Sequence, residues 1–163
     1  MSKINSRQLA YMGLFIALSF VGAQIKIQGS VAFDSMPAFL VALIISPVAG
    51  GIVGILGHML TAVTSGFPLT LPIHMVVGVL MGITCYLFGY LSKKGKKYIA
   101  VIVAFLLNGP ISLGVSAYIM YALGYEFAGV ALFSFLIVPL SIAAILNIVI
   151  AVVVEPFLIR KKY

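Results

Sequence analysis

Long apolar runs, separated only by short clusters of basic residues, constrain the fold of this chain more than any other feature. Of its 163 residues, 63% are hydrophobic and 8% are charged, and the mean hydropathy is +1.25. A spanning helix needs about 20 apolar residues, so this length allows about six spans and no sizeable soluble domain. The sequence therefore predicts an all-α integral membrane protein.

The basic residues predict orientation in the membrane rather than a ligand. A formal net charge of +7 could suggest a nucleic-acid partner. However, the basic residues lie in short flanks of apolar runs, which is the positive-inside pattern of membrane proteins. These flanks are Lys3 with Arg7, the segment Lys93–Lys97, and Arg160 to Lys162. We therefore expect the N- and C-termini to be cytoplasmic and expect no nucleic-acid partner.

The number of spans follows from these cytoplasmic flanks. Between the N-terminus and Lys93–Lys97 the number of spans must be even. The apolar segment from Asp34 to Ala62 is too long for one span. It contains Pro47 near its middle, followed by Gly50-Gly51, so we expect the chain to reverse there. The result is a single domain, residues 1–163, with six transmembrane helices at about 9–25, 35–46, 48–63, 71–91, 98–121 and 130–159.

The first apolar run has an alternative interpretation as a secretory signal. Lys3 and Arg7 precede it, and it ends at Val21-Gly22-Ala23, which is an acceptable cleavage site. The run is also long enough to span the membrane. We therefore interpret it as the first helix.

Three ionisable residues, Asp34, His58 and His74, lie in or beside apolar segments near two chain breaks. An ionisable side chain in a bilayer costs about 2.5–3.5 kcal/mol on insertion scales, so these residues are functional candidates. The breaks are at Ser46-Pro47 and in the segment Gly66–Pro72. Irregular backbone survives at membrane depth where protein or a water-filled cavity satisfies it, which predicts a pocket.

Several catalytic and metal-binding patterns are absent from the sequence. Gly50 to Gly54 lacks the Lys and Ser/Thr of a phosphate-binding loop, so we expect no nucleotide hydrolysis on this chain. His58 and His74 have no HExxH or CxxC pattern around them, so we expect no metal site and no cofactor. With only three acidic residues, no carboxylate pair has catalytic spacing. The chain is therefore not expected to be an enzyme.

The predicted helix directions bring the remaining polar and aromatic residues to one external face. A cavity there would bind an uncharged or weakly charged ligand. The candidate ligand contacts are Asp34, His58, Thr61, Phe67, His74, Tyr118, Tyr121 and Tyr125, with Asn108 as the floor. Alternatives stay open for each: Asp34 as a cap of the second helix, His58 as a packing residue, and the tyrosines as membrane-interface anchors.

The chain resembles the substrate-binding S components of energy-coupling factor (ECF) vitamin transporters. Gly13-Leu14-Phe15-Ile16-Ala17 is similar to the AxxxA signature of that family, with Gly13 in place of the first Ala. Asp34 to Ala38 and the glycine-rich start of the third helix add to the resemblance. Within the family, Gly57 to Ala62, together with Gly66–Leu69 and Pro72–His74, resembles the branch specific for α-ribazole, a cobalamin precursor.

This resemblance implies a subunit of the prokaryotic plasma membrane that captures a vitamin precursor from outside. It would dock through Gly13 and Ala17 onto a transmembrane coupling subunit that two ATPases drive. Intramolecular packing of these two residues is the alternative. Another vitamin, such as pantothenate, riboflavin or a queuosine precursor, would suit the same class of transporter. A membrane scaffold protein without a ligand is the alternative outside transport.

Overall fold

The computed structural model describes residues 4–28 and 31–159 of the chain. Parts of three predicted features lie outside these residues. They are the basic flanks at Lys3 and at Arg160 to Lys162, and residues 29 and 30 of the connection between the first two predicted helices.

The described chain is a bundle of helices with one short hairpin. The helices are α1 (Ser6–Gly22), α2 (Met36–Ile44), α3 (Pro47–Thr64), α4 (Leu71–Lys93), α5 (Lys97–Leu106), α6 (Ser112–Ala122) and α7 (Gly129–Ile159). A π-helical segment, Leu107–Ile111, joins α5 to α6 without a break. Strands β1 (Lys26–Gln28) and β2 (Val31–Ala32) form an antiparallel pair between α1 and α2.

Four helical stretches in the described residues are long and apolar enough to cross a membrane. They are Pro47–Thr64, Leu71–Lys93, Lys97–Ala122 and Gly129–Ile159. Helix α1 has 17 residues and α2 has nine. At 1.5 Å per residue, α2 extends about 14 Å, less than half of a hydrocarbon core of about 30 Å. The fold is therefore that of an all-α membrane protein, while six spans and the orientation of the termini stay predictions.

The chain reverses between α2 and α3, at the predicted break. Ser46 has extended backbone, and its side-chain oxygen accepts a hydrogen bond from the Ala49 N–H at 3.1 Å. Pro47 starts α3, where a missing N–H costs nothing. On the α2 side, the Lys93 ammonium donates to the Ile45 carbonyl at 3.0 Å. Both helix ends at the reversal therefore have side-chain partners.

Close packing of small residues surrounds α2. Every residue from Pro37 to Leu43 is buried. A Cβ added at Gly50 of α3 would lie 2.3 Å from the Ala42 Cβ, and one added at Gly89 of α4 would lie 2.8 Å from the Ala42 carbonyl oxygen. Because these glycines lack side chains, α3 and α4 both approach the α2 backbone closely.

Substitution of Gly50 with Val should destabilise the protein strongly, because the new side chain overlaps Ala42. Overpacking of this kind costs about 3 kcal/mol. Thermal unfolding of the purified protein should show a clearly lower midpoint. Gly13→Val is the matched control, since a Cβ at Gly13 meets nothing within 4 Å. Equal unfolding midpoints for the two variants would contradict the close contact of α2 with α3.

Candidate binding cavity

A cavity of ≈ 740 Å³, including the part open to its surroundings, lies among β2, the Asp34-Ser35 link to α2, α3, α4, α6, α7 and the π segment. Its polar lining residues are Asp34, Ser35, His58, His74, Asn108, Ser112, Ser116 and Asn147.

The rest of the lining is almost entirely aliphatic. Val77, Met81, Leu113, Leu136 and Leu140 are among the apolar residues. Among the described residues that line the cavity there is no Lys, Arg, Phe, Tyr or Glu. The Asp34 carboxylate would therefore repel an anionic group, because no Lys or Arg in the described lining offsets its charge. A neutral or cationic group would not be repelled. The lining suits an uncharged ligand with a few hydrogen-bonding groups.

Asp34 lies between β2 and α2 and is free to face the cavity. The residue at the helix cap is Ser35, and its side chain makes no capping hydrogen bond. Instead, the Met36 N–H donates to Oδ1 of Asn147 at 2.8 Å. The hydroxyl of the buried Thr61 lies beside the Asp34 carboxyl and donates to the Gly57 carbonyl at 3.1 Å. The first turn of α2 is thus capped by Asn147, and Asp34 is not used as its cap.

Asn147 joins three elements with one side chain. It is 1% exposed, and Nδ2 donates to the Ala32 carbonyl at 3.2 Å and to the Ala143 carbonyl at 2.8 Å. Together with the bond from Met36, these contacts tie β2 and α2 to α7. The sequence analysis missed this residue. Its signal is a lone amide within the long apolar run of α7, where polar side chains normally have a specific role.

The two histidines form a direct pair across α3 and α4. Nδ1 of His74 lies 3.3 Å from Nε2 of His58, and Nε2 of His74 accepts a hydrogen bond from the Leu69 N–H at 3.5 Å. His74 is 1% exposed. The Phe67 ring centroid is 5.9 Å from that of His74, but Phe67 does not line the cavity. Within the described residues, no cluster of three potential metal ligands includes the pair.

The third polar wall comes from the helix that contains Pro110. At this proline the helix forms a π segment, a geometry frequent at functional sites. Asn108 lies in that segment, while Ser112 and Ser116 follow at intervals of four residues in α6. All three line the cavity. The sequence analysis missed both serines, although their spacing from Asn108 places them on one helix face.

The predicted site residues divide into three groups in the structure. Four of them line the cavity: Asp34, His58, His74 and Asn108. Thr61 and Phe67 lie behind that lining, next to Asp34 and His74 respectively. Tyr118, Tyr121 and Tyr125 are 70%, 69% and 43% exposed and lie outside the lining. The role of every one of these residues in ligand binding stays a prediction.

Gly13 and Ala17 both lie on an exposed face of α1. A Cβ at Gly13 would touch nothing, and the neighbouring Leu14 and Leu18 are 55% and 42% exposed. No described part of the chain therefore packs against Gly13. The alternative of intramolecular packing does not account for its small size.

Comparison with protein-family models matches residues 7–159 to the ECF transporter, substrate-specific component. Searches of curated proteins and of solved structures give no match. Such components bind a small-molecule substrate, work with the coupling and ATPase subunits of the transporter, and are not enzymes. Because the match covers nearly the whole chain, this multi-pass membrane protein belongs to the family of substrate-specific components of ECF transporters.

Proposed function

We propose that this protein captures α-ribazole from outside a prokaryotic cell for uptake across the plasma membrane. Family membership supports capture of a small molecule. The choice of cargo rests on the resemblance of Gly57 to Ala62 and Pro72–His74 to the α-ribazole branch. The observation that carries it is the cavity, which combines aliphatic walls with Asp34 and the His58–His74 pair.

The polar groups of α-ribazole match those of the lining. Its ribose hydroxyls would donate to the carboxylate of Asp34 and to the side-chain oxygen of Asn108, since both are acceptors. The molecule is uncharged, so it avoids placing an anion next to Asp34. A nucleoside with a flat, apolar base therefore fits a cavity whose described lining contains one acid and no Lys or Arg.

The base would pack differently from the expectation based on sequence. The sequence predicts Phe67 and the three tyrosines as ligand contacts, but these rings lie outside the lining. The rings available in the cavity wall are the imidazoles of His58 and His74. Met81 adds a polarizable thioether, which makes favourable contacts with aromatic rings.

The cargo is tested by thermal unfolding of the purified protein with candidate vitamins, followed by titration calorimetry. We expect α-ribazole to raise the unfolding midpoint, because a ligand at a hundred times its Kd stabilises by about 2.7 kcal/mol. A shift with riboflavin, pantothenate or a queuosine precursor, and none with α-ribazole, would show that the cargo is that other compound. No response to any of them would also overturn α-ribazole as the cargo.

Removing the charge of Asp34 or the ring of His58 should weaken α-ribazole binding. Asp34→Asn and His58→Ala should each lower the affinity more than tenfold, which corresponds to about 1.4 kcal/mol. Titration calorimetry measures the change. Glu126→Gln is the matched control for the acid, because Glu126 is exposed in the loop before α7. Unchanged affinity in both cavity variants would remove these residues from the binding site.

The proposed function also requires a defined orientation in the membrane and a contact with the coupling subunit. The cavity would open to the outside, with both termini cytoplasmic, as the basic flanks predict. Gly13 and Ala17 would form the contact with the coupling subunit. Their exposure and the empty space around Gly13 support this role.

A further inference from the structure

We propose that His74 holds His58 in the tautomer protonated at Nδ1, so that the cavity wall presents an N–H donor to the cargo. His74 is then a positioning residue, and His58 determines which chemical group is accepted there. The role toward the cargo rests on the proposed capture function. The tautomer itself rests only on the hydrogen bonds around the two rings.

The contact with Leu69 determines which nitrogen of His74 is protonated. Its Nε2 faces the Leu69 backbone N–H at 3.5 Å, and a backbone N–H can only donate. Nε2 must therefore be the acceptor, without a proton. A neutral imidazole carries one N–H, so the proton of His74 is on Nδ1. A doubly protonated His74 would instead point an N–H at the Leu69 N–H.

The tautomer of His74 in turn determines the tautomer of His58. Nδ1 of His74 lies 3.3 Å from Nε2 of His58 and donates to it. Nε2 of His58 is therefore an acceptor, and its proton is on Nδ1. Among the described residues, Nδ1 of His58 has no hydrogen-bond partner. Because His58 lines the cavity, Nδ1–H is the ring group left for a ligand.

The result is a cavity with opposite hydrogen-bonding preferences on two walls. His58 on α3 offers a donor, while the carboxylate of Asp34 only accepts when it is ionised. A matching cargo carries an unprotonated ring nitrogen or a carbonyl oxygen toward His58, and a hydroxyl or amine toward Asp34. α-Ribazole has both, since its benzimidazole retains one unprotonated nitrogen and its ribose carries hydroxyls.

The tautomer is tested without any cargo. The chain contains two histidines, so a histidine-labelled sample with its affinity tag removed gives nitrogen NMR signals from His58 and His74 alone. We expect both rings of the protein in lipid nanodiscs to be protonated at Nδ1, and single substitutions assign the signals. A proton on Nε2 of either ring would overturn the proposal.

Amide substitutions test the donor toward the cargo. The side-chain NH₂ of Asn can take the place of Nδ1–H, whereas that of Gln takes the place of Nε2–H. Both variants lose the ring, but only Asn keeps a donor near the position of Nδ1, so His58→Asn should bind α-ribazole about threefold or more tightly than His58→Gln. The reverse order would overturn the proposal.

The positioning role of His74 has its own pair of variants. His74→Asn keeps a donor to His58 and should preserve the Nδ1–H signal of His58, with an affinity above that of His74→Leu. His74→Leu removes the donor, so the His58 spectrum should show Nε2–H and the affinity should fall about tenfold. An unchanged His58 tautomer in His74→Leu would contradict the role. If the natural protein shows the expected tautomers but does not bind α-ribazole, the choice of cargo fails and the tautomer stands.

Discussion

Replacing Gly13 with Leu should abolish uptake of α-ribazole while leaving its binding unchanged. Gly13 lies on the exposed face of α1, where an added Cβ meets nothing. The fold therefore has room for the larger side chain. A coupling subunit that approaches this face closely has no room for a leucine there, because helix contacts in membranes depend on small residues at the interface. Uptake of labelled α-ribazole into proteoliposomes containing the whole transporter measures the effect.

Two controls separate docking from general effects of a new leucine. Ala131→Leu changes another small, exposed residue, on α7, and should keep normal uptake. Calorimetry of the isolated Gly13→Leu protein should give the affinity of the natural protein. Normal uptake by Gly13→Leu would exclude this face of α1 from the docking surface.

Replacing Asn147 with Leu should destabilise the protein and weaken cargo binding. The substitution leaves the Met36 N–H and the Ala32 carbonyl without their partner in the interior. Each unsatisfied buried group costs about 1–3 kcal/mol, so a loss of about 2–5 kcal/mol is expected. Binding should suffer as well, because Asp34 lies between these two residues. Thermal unfolding and calorimetry measure the two effects.

The control for Asn147 is a polar residue on the same helix without such contacts. Ser134 is exposed, so Ser134→Leu should leave both stability and affinity unchanged. Asn147→Asp separates the contacts further, since a carboxylate can accept from Met36 but cannot donate to Ala32. An Asn147→Leu protein as stable as Ser134→Leu would show that Asn147 is not needed to hold α2.

The chain reversal and the importance of the two histidines could be predicted from the sequence. Pro47 lacks the N–H that a continuous helix would need, and Gly50-Gly51 follow it closely. Proline alone is not sufficient for a break, because Pro139 and Pro156 lie inside the continuous helix α7. His58 and His74 stand out because ionisable groups are costly in apolar surroundings. Their direct contact could not be predicted, since it depends on how α3 and α4 are rotated against each other.

The tyrosines show where sequence reasoning fails in such a protein. A helix in lipid is apolar on its outer face as well as its inner one, so periodicity does not tell which side faces inward. With 3.6 residues per turn, Tyr118 lies about 200° around the helix from Ser116, which lines the cavity. The tyrosine side chains therefore lie on the outer surface. The π segment upstream adds a change of register; Pro110 marks its place in the sequence but not the size of that change.

The short helix α2 has a mechanical consequence for the whole protein. Its start is held by Asn147 of α7, and the Ile45 carbonyl just past its end accepts from Lys93 of α4. Sliding along its axis would break one of these bonds, and the glycines of α3 and α4 block sideways displacement. Helices α2, α3, α4 and α7 should therefore move together rather than independently.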